Sequence, residues 1–259
     1  MSGKARTVLV LTALAALALA SLAGAEVVQR GNLRVSFNGR LTPKALPRKR
    51  DAPVRVAVQA RIASVHGGTP PPLRKILIAI NRHGHFHTSG LPICTVRDIQ
   101  PSTTQRALET CGDSLVGKGT FSADVALGRQ APFPAAGTLY AFNGSVHGRA
   151  AILAHVYGTD PVPTSFTFPF VMTSRKGTFG TALTASLPAV TGGSAAVTGL
   201  SLDLGRSYRS GGGKRSYLSA SCAAPEGFPG AGFTFAKAVF SFGRRTLSST
   251  LTRHCRVRG

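Results

Sequence analysis

Apolar and polar residues alternate with a period of two along most of this chain, and that pattern predicts β-strands. In "PVRVAVQARIA", Val54, Val56, Val58, Ala60 and Ile62 share one face, and Arg55, Gln59 and Arg61 share the other, as in a half-buried strand. "KILIAI" (75–80) is apolar on both faces and reads as a central strand. "SFTFPFVM" (165–172) sets Phe166, Phe168 and Phe170 on one face, while Pro169, which has no N–H to give a ladder, suits an edge or a bulge. "SYLSASC", "GFTFAKAVFSF" and "RTLSSTLTRHC" predict three further strands toward the C-terminus.

The punctuation between these runs fits hairpins. "FNG" occurs at 37–39 and again at 142–144, and Asn-Gly suits turns that need a positive φ. "RSGGGKRS" (209–216) and "FGRRT" (242–246) read as hairpin connections. One stretch, "STTQRALETCGDSLVG" (102–117), predicts a helix, with Ser102 or Thr103 as its cap and Gly112 near its end. The expected fold is therefore all-β, a mostly antiparallel β-sandwich with one short helix. "GTDPVPTS" (158–165) has linker composition but also the length of an ordinary inter-strand loop, so one domain over 26–259 is expected.

The N-terminus departs from this pattern. Lys4 and Arg6 precede an apolar run from Val8 to Leu22, and Ala23-Gly24-Ala25 gives the small-x-small spacing of a signal-peptidase site. Residues 1–25 are expected to be a secretory leader, with Glu26 as the mature N-terminus and the protein secreted or extracytoplasmic. No other run is long enough to cross a bilayer as a helix.

Export changes the meaning of the cysteines. Cys94, Cys111, Cys222 and Cys255 make an even set, which in an oxidising compartment predicts disulfides. Of the three pairings, Cys94–Cys111 and Cys222–Cys255 are favoured because each is local, and closing such loops stabilises by roughly 3–4 kcal/mol apiece. Cys222 lies on the apolar face of its strand with Leu218 and Ala220, and Cys255 on that of its strand with Leu247 and Leu251. In a plain meander the strand around Phe233 would separate the two by about 9.6 Å, beyond the roughly 7 Å reach of a disulfide. Either those two strands pair directly or the bridge crosses between two sheets, and the second is expected.

The chain has 31 Lys and Arg against 9 Asp and Glu, a formal charge of +22. Such charge attracts anionic polymers of a cell envelope, lipid headgroups or nucleic acid, although an Arg-rich composition with no selected partner gives the same number. The candidate anion contacts are Arg48, Lys49 and Arg50, then Arg209, Lys214 and Arg215, then Arg244 and Arg245. Nucleic acid is not the expected partner, because no aromatic interleaving or reading helix accompanies the charge. The absence of Trp leaves sugar stacking little to work with.

Catalytic signatures are missing: no GxSxG elbow, no HExxH, and "SGGGKRS" lacks the Ser or Thr that follows the lysine of a phosphate loop. The aspartates Asp98, Asp113, Asp124, Asp160 and Asp203 read as partners for the many arginines or, for Asp113 and Asp160, as turn residues. His155 reads as a core or edge histidine. "NRHGHFHTSG" (81–90) spaces His83, His85 and His87 by two, as a strand-borne zinc site would. Against that, Asn81, Arg82 and Gly84 read as a turn that breaks the alternation. No Asp or Glu lies near in sequence to orient a ring, and Arg82 adds positive charge. A solvated hairpin tip is the expected reading, with zinc the alternative. Asn143-Gly144-Ser145 spells a glycosylation sequon but reads as a turn.

"GLPICTVRDIQPSTTQRALETCGDSLVGKG", with "LYAFNG", "ILAHVYG", "RSYLSASCAAP" and the ending "CRVRG", resembles a family of secreted, Arg-rich actinobacterial proteins with paired cysteines and no assigned activity. The resemblance implies export and disulfides and carries over no catalytic or binding residue. The expected function is an exported, non-catalytic envelope or extracellular protein that contacts anionic polymers or lipids through Arg-rich loops. The alternative is a metal-binding protein or metal-dependent hydrolase built on His83, His85 and His87.

Overall fold

A computed structural model of the protein describes residues 24–127, 130–159, 163–187 and 193–258. Nearly all of the expected leader, and Asp160, lie outside the described residues. The alternating runs form one 13-stranded sheet. Its spatial order is β1 (Glu26–Arg30), β2 (Leu33–Thr42), β5 (Arg55–Ser64), β13 (Gly193–Leu204), β8 (Leu115–Leu127), β9 (Phe133–Val146) and β10 (Arg149–Gly158). It continues through β11 (Thr164–Ser174), β12 (Phe179–Ser186), β6 (Lys75–Asn81), β17 (Gly230–Phe242) and β18 (Arg245–Val257) to β3 (Ala45–Leu46). Among the described strands, the short β18–β3 pair is the parallel one.

The fold is all-β and sandwich-like, and its two layers belong to that one continuous sheet, which curls back on itself. Phe37 of β2 meets Phe240 of β17 edge-on, ring centroids 6.0 Å apart. β1 covers the edge of β2 only as far as Phe37. Beyond it, Arg253 of β18 reaches across and donates from Nε to the Gly39 carbonyl and from Nη2 to Asn38 Oδ1, each at 2.6 Å. A guanidinium thus serves part of a backbone edge that no strand occupies. "KILIAI" is a central strand, as its two apolar faces predict: β6 pairs with β12 on one side and β17 on the other. Pro169 pairs toward β10, and β12 joins β11 only from Val171 onward, so the side Pro169 cannot serve is an open edge. The linker-like segment joins β10 to its neighbour β11 within the same sheet.

The alternate side chains make two cores. Those pointing inward from the curled sheet, among them Leu33, Phe37, Ile76, Leu139, Ile152, Phe240 and Leu251, are almost wholly buried. On the outer face, Phe142 of β9 and Ala151 and Leu153 of β10 are covered by Ile99, Ala107 and the Cys94–Cys111 bridge. The cover comprises α1 (Val96–Ile99), capped by a reciprocal Thr95–Asp98 box, and α2 (Thr104–Cys111), capped by Thr103. The helix is shorter than its predicted 102–117 span: a single 3-10 turn follows, and β8 begins at Leu115 because the alternation of "LVGKGTFSADVAL" takes over.

Neither FNG is a turn. Asn38-Gly39 lies within β2 and Asn143-Gly144 within β9. Their glycines answer close approach instead: a Cβ at Gly39 would stand 2.9 Å from the Phe235 ring, and one at Gly144 2.6 Å from the Cys94 carbonyl. Asn143 is buried and donates to the carbonyls of Thr88 and Pro92, so it is no sugar acceptor. The real turn beside it is His147-Gly148, both at positive φ.

Candidate anion-binding end

Strand register sorts the connections into two ends. Thr42 pairs with Arg55, Leu204 with Val56 and with Gly117, Leu115 with Phe142, and Val146 with Arg149. On the other side of the curl, Ser174 pairs with Thr181, Asn81 with Phe179, Ile80 with Ala236, and Gly230 with Arg256. The segments 43–54, 82–114, 205–229 and the C-terminal strand end therefore gather at one end. Gly31-Asn32, Gly67-Gly68 and the turn at Gly243-Arg244 gather at the other. β17 is 13 residues long, so the two ends stand up to about 40 Å apart at roughly 3.3 Å per residue.

The first end is capped. A three-stranded sheet of β4 (Ala52–Pro53), β16 (Leu218–Ala220) and β7 (Gly84–Phe86) lies over it, beside a hairpin of β14 (Ser207–Ser210) and β15 (Gly213–Ser216). Ala52, Leu218 and Ala220 are buried against the main core, and Phe86 packs edge-on to the buried Tyr217 at 5.9 Å. The Cys222–Cys255 bridge ties this cap to β18, with Cα atoms 5.6 Å apart. Cys222 stands two residues beyond β16, outside any strand, so the bridge links the main sheet to the cap and not two neighbouring strands of one meander.

The histidines correct the turn reading. The turn is only Arg82-His83, organised by Asn81, whose side chain donates to the Thr234 carbonyl and accepts from the His83 N–H. β6 has a partner on each edge, so the chain after the turn cannot return along it. It forms β7 and pairs with β16 instead, Ser219 opposite His85. The alternation survives, and the outward face of the cap collects all three rings. His83 Nδ1 is 3.3 Å from Ser221 Oγ, His87 Nε2 is 2.7 Å from Ser219 Oγ, and His85 Nε2 is 3.5 Å from Asp51 Oδ2. Asp51 also accepts from Ser219 Oγ at 3.2 Å. A carboxylate is near after all, brought from 32 residues upstream of the first histidine by the β4–β16 pairing.

These bonds have a direction. Asp51 accepts only, so the Ser219 hydroxyl donates to it and must accept from an N–H on His87 Nε2. A serine nucleophile needs the reverse, a hydroxyl that donates to its histidine. The cluster is a surface relay that ties β7, β16 and β4 together. His83 is held below the ordinary histidine pKa by burial first, then by Arg82 and His85, with Asp51 opposing. Among the described residues, the one group of three ligand-type atoms within 4.8 Å is Cys94, Asp98 and Cys111, and its two sulfurs are bonded to each other.

The candidate anion contacts divide between the ends. Arg48, Lys49, Arg50, Arg209, Lys214 and Arg215 lie at the capped end, and Arg244 and Arg245 at the other. Arg48 is not free: it donates to the carbonyls of Ala224, Pro225 and Phe228 and so braces the 224–229 loop. Arg215 Nε donates to the Ser210 carbonyl across its own hairpin. The fold adds Lys44, Arg256 and Arg258, all exposed, through the β3–β18 pairing. Sequence reasoning missed these because Arg256 and Arg258 fall in what reads as the end of a strand and Lys44 stands outside the Arg48–Arg50 run. Asp203 pairs with Arg55 at 3.2 Å, as the abundance of arginine predicts.

Beneath the cap, Leu41, Val56, Ile80, Leu218 and Phe235 help line an apolar cavity of about 70 Å³. That is less than half the roughly 150 Å³ that admits one benzene, so this cavity does not take an acyl chain. The chain matches no family model, no curated protein and no solved structure. No helix among the described residues is long and apolar enough to cross a membrane. Together with the two disulfides this is compatible with an extracellular protein.

Proposed function

We propose that the protein is an exported, non-catalytic component of an envelope or extracellular space, a member of the secreted Arg-rich family it resembles, and that it contacts anionic polymers or lipids. One observation carries the reading. Strand register collects Lys44, Lys49, Arg50, Arg209, Lys214, Arg215, Arg256 and Arg258 at a single end, from segments far apart in the chain. Several exposed cations on one face raise the local concentration of a polyanion in a way the same charges scattered would not. The oxidised protein should bind long-chain polyphosphate, and the affinity should fall steeply between 50 and 500 mM NaCl, both about the range over which screening becomes severe. Binding indifferent to salt, or unchanged when Lys49, Arg50, Arg256 and Arg258 become Ala, would overturn it.

The zinc alternative has one observation in its favour, the Asp51 carboxylate beside His85. A calorimetric zinc titration separates the two readings. A tight one-to-one site that is lost when His83, His85 and His87 all become Ala would move the function to the cap's outward face.

A further inference from the structure

Two of the large apolar side chains the fold leaves exposed stand at the basic end. Phe228 is 60% exposed and Ile93 61%. Phe228 tips the 224–229 loop, which Arg48 holds through three main-chain carbonyls and the Cys222–Cys255 bridge fixes at its base. Ile93 sits in the segment that the Cys94–Cys111 bridge and the Asn143 side chain hold against β9. Neither position is a floppy tip. Each is an apolar side chain presented by a braced loop, and β9 and β18 lie on opposite sides of the curled sheet, so the two flank the cap.

We propose that this end docks onto an anionic lipid bilayer. Phe228 and Ile93 enter the interfacial layer, while Lys49, Arg50, Arg256 and Arg258 meet headgroup phosphates. This rests on the polyanion reading and goes beyond it by choosing the bilayer over a soluble polymer. A polymer rewards only the charges. A bilayer rewards charge together with apolar side chains at its edge. The cavity beneath the cap is too small to take up an acyl chain, so the proposed contact is peripheral. Glu226, in the same loop as Phe228, opposes the basic field and is outnumbered by its neighbours.

The chain has no Trp, so a single introduced Trp reports its own surroundings. β1 starts at Glu26, and the chain from there on contains every described strand. Phe228→Trp, Ile93→Trp and, as a control, Val27→Trp would be made in it. Val27 is also exposed, at 57%, but pairs opposite Ser36, toward the uncapped end. With phosphatidylglycerol vesicles the emission of the first two should shift to the blue and that of the third should not. With phosphatidylcholine vesicles none should shift. In co-sedimentation, Phe228→Ser should weaken binding about tenfold or more, and each Lys49→Ala or Arg50→Ala about fivefold.

Polyphosphate binding without vesicle binding would sink the bilayer proposal and leave the polyanion reading standing. Vesicle binding with no blue shift at position 228, and no loss in Phe228→Ser, would reduce the contact to charge alone and overturn the docking geometry. Binding to neither probe would remove both.

Discussion

The two ends of the curled sheet are made by opposite means. At the uncapped end, glycines at positive φ reverse the chain within two residues at Gly31-Asn32 and Gly243-Arg244, and Gly67 and Gly68 shape the longer connection from β5 to β6. The capped end carries longer segments that fold into a small sheet, a hairpin and both helices, and both disulfides lie there. Both ends are basic. Among the described residues, the capped end is the one that holds its charges on braced loops beside exposed apolar side chains. Charge in a hairpin turn needs nothing from the rest of the molecule, whereas a surface assembled from distant segments has to be fastened, and loops positioned on a rigid scaffold are where binding residues concentrate.

The largest effect should come from cutting the fastenings. Changing Cys222 and Cys255 together to Ser should lower stability by roughly 3–4 kcal/mol. The amides of 205–229 should lose hydrogen-exchange protection while those flanking Gly243 keep theirs. Equal loss at both ends would mean that the cap is part of one cooperative unit and that the contrast between the ends is only geometric.

Next comes Arg48. In Arg48→Ala the carbonyls of Ala224, Pro225 and Phe228 lose a charged donor, and urea melts should show a loss of about 1–3 kcal/mol. Arg244→Ala, at a turn that makes no such bonds, should stay within about 0.5 kcal/mol of the parent. Matching values for the two would show that the basic residues at both ends are equally ornamental to the fold.

Ser219→Ala sharpens the comparison within the cap itself. It removes the hydroxyl that accepts from His87 and donates to Asp51, and should cost about 1 kcal/mol. It should also free the His87 ring, which NMR relaxation would register as faster ring motion without unfolding.

Much of the sheet was legible from alternation, because a two-residue period and a buried face leave a strand little choice. The parts that were not legible depend on partners remote in sequence. "FNG" carries the composition of a turn, but Gly39 answers to the Phe235 ring and Gly144 to the Cys94 carbonyl, and local propensity contains neither. β7 could not be foreseen because it exists where it does only after β12 and β17 have taken both edges of β6. Asp51 looks remote from the histidines until β4 and β7 pair with the same strand. The disulfides show the other case: locality gave both pairings, and strand spacing and reach sufficed to keep Cys222 and Cys255 out of one plain meander, though not to show that Cys222 stands just beyond its strand.

Acid should separate the cap from the wall by the smallest increment. His155, buried in β10 and 3.2 Å from Thr167 Oγ1, is held below the ordinary histidine value by burial, as His83 is in the cap. A histidine whose folded pKa lies below its unfolded one takes its proton later when folded, so the unfolded state binds more protons as pH falls. Stability is then complete above about 6.5 and declines as the pH drops through that value toward the folded pKa. At pH 6.5 the loss is at most about 0.4 kcal/mol per histidine, because half of the unfolded chains carry the proton. His155→Gln should flatten the decline in global stability measured by urea melts between pH 7.5 and 5.5, whatever it does to the absolute value. The readout is the slope, which a lost packing contact does not move. His83→Gln should leave the global slope less altered and change the acid sensitivity of exchange in 217–222, where Ser221 is its partner. If both substitutions flatten the global slope equally, the cap and the sheet wall unfold together in acid, and the disulfides serve to fix the shape of the basic end more than to supply its independent stability.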